Sequence, residues 1–228
     1  MTEGLKWTVN HVPESDDKFL DLMSEENVTK ANEFHKSFPQ YSVTPLQKLS
    51  ALASYLGVKG IYCKDESYRF GLNAFKVLGG SYAMGRYIAQ EVGKDISDLP
   101  YAVLSSEELR KEFGQATFFT ATDGNHGRGV AWAATRLGQK AVVHMPKGST
   151  QTRFDNIAKE GASVTIEELN YDDCVRLAAK EAAETPHGVI VQDTAWDGYE
   201  EIPSWIMQGY GSMAMEANEQ LHELGIER

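Results

Sequence analysis

Lys76 stands in Asn73-Ala74-Phe75-Lys76-Val77-Leu78-Gly79-Gly80-Ser81, between a turn-rich approach and a helix start made of small residues. A lysine forms a Schiff base with an aldehyde only when its amine is unprotonated. In water its pKa of about 10.4 makes it a poor nucleophile at neutral pH. An aromatic neighbour and a helix N-terminus both disfavour the ammonium, by desolvation and by the positive end of the helix. On the lysine alone, the ordinary reading of one solvated lysine among many carries more weight.

A second stretch with chemical potential is Thr120-Ala121-Thr122-Asp123-Gly124-Asn125-His126-Gly127-Arg128-Gly129. It falls between an expected strand and an expected helix, where backbone N–H groups converge on an anionic or polar ligand. Glycines let the backbone approach that ligand closely. Asp123 and Asn125 add a carboxylate and an amide on the same turn. An ordinary turn with Asp and Asn as helix caps fits the same residues. A dinucleotide fingerprint fits worse, because the order is GxxGxG and no acidic residue follows at the required spacing.

The elements around these stretches read as α/β. Leu49, Leu52, Tyr55 and Leu56 have helical spacing, and Ile61 to Lys64 reads as a short strand. A turn-rich loop, Asp65 to Asn73, leads to a helix from about Lys76 to Val92. Strands are expected at Thr117–Ala121, Ala141–Met145, Ser163–Ile166 and Gly188–Gln192. Helices are expected at Arg128–Leu137, Gln151–Glu160, Tyr171–Glu184 and Ser204–Leu224. Apolar strands alternating with short amphipathic helices specify βαβ units on a parallel sheet, and such sheets bind ligands at the carboxyl ends of their strands. Asp193 falls just after such an end. Residues 1–30 are polar and are expected to wrap the surface.

Composition narrows the function. The chain has 228 residues, 42% of them hydrophobic, and 22 Lys+Arg against 33 Asp+Glu give a net charge of −11. That balance argues against nucleic acid and anionic membranes as partners. No apolar run approaches the roughly 18 residues that span a bilayer, and Met1 to Asp16 lacks a signal-peptide core. A cytoplasmic location is the expectation. Cys63 and Cys174 read as reduced thiols. His11, His35, His126, His144, His187 and His222 show no metal spacing, so no metal is expected. His126 reads as part of its turn and His144 as a core residue. Asp172 and Asp173 read as a helix N-terminal pair, and Trp132, Trp196 and Trp205 as packing residues.

Together the two stretches resemble the fold-type II pyridoxal-phosphate enzymes, and within them the diaminopropionate ammonia-lyases. The resemblance rests on Arg69 to Gly80, Thr122 to Trp132, Gln192 to Trp196 and Ile206 to Gly211, and so runs through most of the chain after residue 68. It implies an α/β fold of parallel βαβ units with tryptophan synthase β-like architecture, incomplete at the C-terminus. It places residues 1–80 in a large cofactor-binding domain, 81–195 in a small α/β domain and 196–228 in the start of the return. Lys76 matches the lysine that carries pyridoxal 5'-phosphate, Phe75 the aromatic near its ring and Asn125 the amide on the ring hydroxyl. Gly124, His126 and Gly127 complete the cofactor-binding turn. Asp123, where dehydratases of serine and threonine usually carry Ser, matches a general base on one face of the substrate, with Lys76 on the other. A base of that kind is expected to be buried, because burial raises a carboxylate pKa. Asp193 is the third candidate catalytic residue.

The implied reaction is α,β-elimination of ammonia from D- and L-2,3-diaminopropionate, giving pyruvate and ammonia. A serine/threonine dehydratase-like lyase and an inactive fragment are the alternatives. Family members are longer and carry a glycine-rich phosphate loop after the region matching Gln208 to Gly225. Gly209-Tyr210-Gly211 sits in the expected last helix and makes a poor phosphate cup. The resemblance therefore implies low activity for a chain ending at Arg228, and a homodimer for the full-length form.

Overall fold

The computed structural model describes residues 20–226. The expectation for residues 1–16, His11 and Arg228 lie outside them. In chain order the elements are α1 (Glu25–Lys36), β1 (Leu46–Lys48), α2 (Ser50–Leu56), β2 (Tyr62–Lys64), α3 (Lys76–Glu91), α4 (Tyr101–Leu104), α5 (Glu107–Phe113), β3 (Thr117–Ala121), α6 (Asn125–Arg136), β4 (Lys140–Met145), α7 (Gln151–Ala158), β5 (Ser163–Ile166), α8 (Tyr171–Glu184), β6 (Gly188–Ile190) and α9 (Glu201–Glu223).

The main sheet has the order β5-β4-β3-β6, and all its pairings are parallel. β3 is buried along most of its length and reads as a continuous apolar run, as a strand covered on both faces should. The sheet bears out the expected βαβ architecture. β1 and β2 form a separate antiparallel pair.

Residues 20–30 lie at the surface, none of them buried, with residues 25–30 in the first turns of α1, which Ser24 caps and which buries Ala31, Asn32, Phe34 and His35. Three local expectations change. α6 begins at Asn125, so His126 and Gly127 lie in its first turn and not in the preceding loop. In α2 only Ala53 is buried, while Leu49, Leu52, Tyr55 and Leu56 are exposed; helical spacing marked a face but not its direction. Trp132 and Trp205 are buried as expected, but Trp196 is partly exposed and stacks on Tyr199.

Three helices hold the lysine loop, and glycine sets how closely they meet. A Cβ on Gly129 of α6 would lie 2.8 Å from the Cα of Val77 in α3. One on Gly209 of α9 would run into the Leu78 carbonyl, and one on Gly211 would press Val28 of α1. Gly209-Tyr210-Gly211 is thus a packing device within α9.

His35 locks the same assembly. Its Nε2–H donates to the Leu78 carbonyl at 2.9 Å, and its Nδ1 accepts from the Ser212 hydroxyl at 2.7 Å. Burial pushes its pKa down to about 3. A histidine lowered in the folded state contributes its full stability above the unfolded value, near 6.5, and loses it as pH falls toward 3. At about pH 5 the unfolded chain alone binds this proton, which costs about 2 kcal/mol of stability. Denaturant midpoints at about pH 7.5 and pH 5 should show that loss, and His35→Gln should flatten it.

Candidate active site

The site forms where the carboxyl ends of β3 and β6 lie side by side, facing the N-terminus of α3. The chain leaves β3 through Thr122, whose hydroxyl accepts the Gly124 N–H at 3.0 Å. It leaves β6 through Gln192, which is fully buried. The Gln192 amide oxygen accepts from the Thr120 hydroxyl and the Ala121 N–H, both at 3.0 Å. Its amide nitrogen donates to the Tyr171 hydroxyl at 2.8 Å. These bonds tie the exit of β6 to β3 and aim the next residue, Asp193.

Lys76 opens α3. Its Nζ donates to Asp193 Oδ2 at 2.7 Å, and it lies 5.7 Å from the Phe75 ring centroid and 5.4 Å from that of Tyr210. Phe75 and Tyr210 meet edge to face at 5.1 Å. The aromatic setting expected of Lys76 is present, with Tyr210 of α9 added to it. No feature of the sequence near Lys76 points to Tyr210. Burial opposes the charge on Asp193, but a positive charge on His126, when that ring is protonated, and the Lys76 ammonium hold its pKa below the usual carboxylate range.

Lys76, Thr122, Asp123, Gly124, Asn125, His126, Arg153, Tyr171 and Asp193 line one pocket of about 280 Å³. The structure therefore gathers Lys76, Asp123, Asp193, Asn125, Gly124 and His126. Gly127 lies elsewhere, packed under Thr122 and Val143 where a Cβ would collide. Phe75 borders Lys76 behind the pocket. Asp123 departs from the expected burial: its side chain is 73% exposed and pairs with Arg153 at 3.3 Å. The turn after β3 carries it to the rim, where water reaches it.

The donor set suits an aldehyde cofactor with an aromatic ring. Lys76 supplies the amine, Asn125 an amide, and the N-terminus of α6 its free N–H groups. The His126 Nδ1, buried without a hydrogen-bond partner, leaves one polar atom at the site unspent. Among the described residues no group of three or more metal-ligating side chains forms, and no helix is long and apolar enough to cross a membrane.

Residues 38–225 match the model of the pyridoxal-phosphate dependent enzyme family, and the chain belongs to that family. Among curated relatives, it is 58% identical over 190 residues to the diaminopropionate ammonia-lyase of Salmonella typhimurium (strain LT2), covering 83% of this chain and 47% of that protein. It is 49% identical over 219 residues to the diaminopropionate ammonia-lyase of Escherichia coli (strain K12), covering 93% of this chain and 53% of that protein. The crystal structure of the Escherichia coli diaminopropionate ammonia lyase in complex with D-serine superposes with a TM-score of 0.85 at 48% identity, covering 93% of this chain and 55% of that one. The chain spans about half the length of the curated relatives it matches. The fold is thus that of fold-type II pyridoxal-phosphate enzymes.

Proposed function

We propose that this chain carries the lysine-bearing part of a lyase site that eliminates ammonia from 2,3-diaminopropionate, giving pyruvate and ammonia. The observation that carries this reading is that Lys76 and Asp123, an amine and a carboxylate from separate elements, line the same pocket. Pyridoxal phosphate, when bound, supplies an electron sink for the pair left behind by the α-proton. Lys76 takes that proton from one enantiomer and Asp123 from the other. Asp193 holds the Lys76 amine at the pocket floor. Asn125 and the first N–H groups of α6 orient the polar edge of the cofactor, and Phe75 and Tyr210 cover one side of the lysine. The β-nitrogen leaves as ammonia, and water converts the remaining enamine to pyruvate and a second ammonia. A homodimer of the full-length form and the division at residues 80 and 195 are part of the same proposal.

The exposure of Asp123 does not remove it from this role, because Arg153 and the turn fix its place at the rim. Asp123→Asn should cut turnover of one enantiomer by about two to four orders of magnitude, the usual contribution of a positioned base. Turnover of the other enantiomer should stay within about tenfold. Pyruvate release from separate D- and L-2,3-diaminopropionate assays checks this. Full activity of the variant on both would sink the assignment, and pyruvate from serine alone would make the chain a dehydratase.

A further inference from the structure

The ion pair at the pocket floor has a neighbour that the proposed chemistry leaves idle. His126 is 4% exposed. Its Nε2–H donates to the Val191 carbonyl at 2.8 Å. Because a carbonyl only accepts, that bond puts the proton of the neutral ring on Nε2 and leaves Nδ1 bare. Nδ1 is buried with no hydrogen-bond partner, and it faces Asp193 Oδ2 at 3.8 Å. That same oxygen accepts from Lys76 at 2.7 Å. One carboxylate oxygen therefore lies between two nitrogen bases, one engaged and one held off.

A bare imidazole nitrogen facing a carboxylate is an unfavourable contact. Adding a proton to Nδ1 turns it into a charge-assisted hydrogen bond, which would close the gap to about 2.8 Å. Burial holds the His126 pKa below its ordinary value against the pull of Asp193, and the Lys76 charge lowers it further. The balance therefore depends on Lys76. If Lys76 loses its charge or leaves, Asp193 becomes a half-buried carboxylate without a cation, which is costly. The other ionisable groups around the pocket are Asp123, Arg153 and Tyr171, which line it, and Tyr199 and Tyr210, whose hydroxyls burial and the Asp193 charge both keep protonated. Arg153 is spent on Asp123. His144 in the neighbouring strand β4 is spent on Glu167 and Glu181. Among the described residues, His126 is the further base placed to answer Asp193.

We infer that His126 is a positioning residue that becomes the cationic partner of Asp193 when Lys76 gives up its charge, keeping the carboxylate ionised and in place. One proton passes from solvent to Nδ1, and no other bond is made or broken. The inference rests on the reading of Lys76 as the cofactor lysine, since a nitrogen bound to the aldehyde is no longer the ammonium that donates to Asp193.

The test is a titration of nitrogen-labelled histidine by NMR on the cofactor-free chain, comparing wild type, Lys76→Met, Asp193→Asn and the double variant. Lys76→Met should raise the proton affinity of His126 by about tenfold or more, one pKa unit being a factor of ten. On the Asp193→Asn background the same change should raise it by less than about threefold, because the carboxylate to be answered is gone. Lys76→Gln serves as the second neutral variant if Lys76→Met fails to fold. An unchanged His126 affinity in both neutral variants, or equal rises on the two backgrounds, would overturn the inference. Turnover of 2,3-diaminopropionate plays no part in this readout, so the functional proposal can fail while the His126 response stands, and the reverse.

Discussion

On the proposed lyase reading, Lys76→Ala should abolish turnover, lowering it by on the order of a thousandfold or more, which corresponds to about 4 kcal/mol of lost transition-state stabilisation. No other residue can take its place. Of the residues lining the pocket, Lys76 and Arg153 are the cationic ones, and a guanidinium cannot act as an amine nucleophile because it does not deprotonate in proteins. Arg153 is also committed to Asp123 at the rim. The variant should in addition lack the long-wavelength absorbance expected of wild type with added pyridoxal phosphate. Its fold should persist, since the Lys76 side chain is 32% exposed and His126 is placed to take over its partner Asp193. A thermal midpoint close to wild type, together with lost absorbance and lost pyruvate release, is the full expected result. Wild-type turnover by the variant would remove Lys76 from the chemistry.

What the sequence made legible follows the range of the interactions involved. β3 and the turn after it were legible because a buried parallel strand is an unbroken apolar run and a close backbone approach needs glycine. Lys76 was legible because its neighbours, an aromatic and small residues, lie beside it in the chain. The partners of Lys76 were harder to see. Asp193 is 117 positions away, and only its place after a strand end suggested that it faced the pocket. Tyr210 reaches Lys76 from a helix whose approach depends on Gly209 and Gly79, and periodicity says nothing of which helix a face will meet. The outward face of α2 shows the same limit. The rim position of Asp123 was not legible either, since one turn residue separates a pocket-facing carboxylate from an exposed one. The ionic cluster at Arg69 was missed altogether: a charged residue in a turn-rich loop normally reads as surface, and its partner Glu216 lies 147 positions on.

That cluster underlies the largest stability effect to be expected. Arg69 is 1% exposed. Its Nε and Nη2 donate to Glu66 at 2.8 and 2.9 Å, and its Nη1 and Nη2 donate to Glu216 at 2.7 and 2.8 Å. Lys64 and the Tyr41 hydroxyl also reach Glu216, at 2.8 and 2.7 Å. Burial alone would raise the Glu216 pKa, but its bonds from Arg69, Lys64 and Tyr41 bring it down to about 2. Arg69→Met removes the cation and leaves two buried carboxylates facing each other, a loss of about 3–5 kcal/mol. The damage extends to the site. Phe70, Gly71 and Asn73 all have positive φ, at 49°, 70° and 59°, and for an aromatic residue such backbone costs about 1 kcal/mol or more unless its surroundings enforce it. Arg69 pins one side of this turn and the contact of Phe70 with Trp132, centroids 4.9 Å apart, pins the other. The turn delivers the chain to Lys76 at the start of α3. In Arg69→Met the denaturant midpoint should fall by the amount stated, and the cofactor absorbance should weaken even at temperatures where the variant remains folded. Arg69→Lys should recover only part of both, because an ammonium cannot reproduce the forked donation to two carboxylates. Arg69→Met with wild-type stability would show that Lys64 alone neutralises Glu216. In that case the left-handed turn before Lys76 would be held by the packing of Phe70 on Trp132, without help from the buried charge.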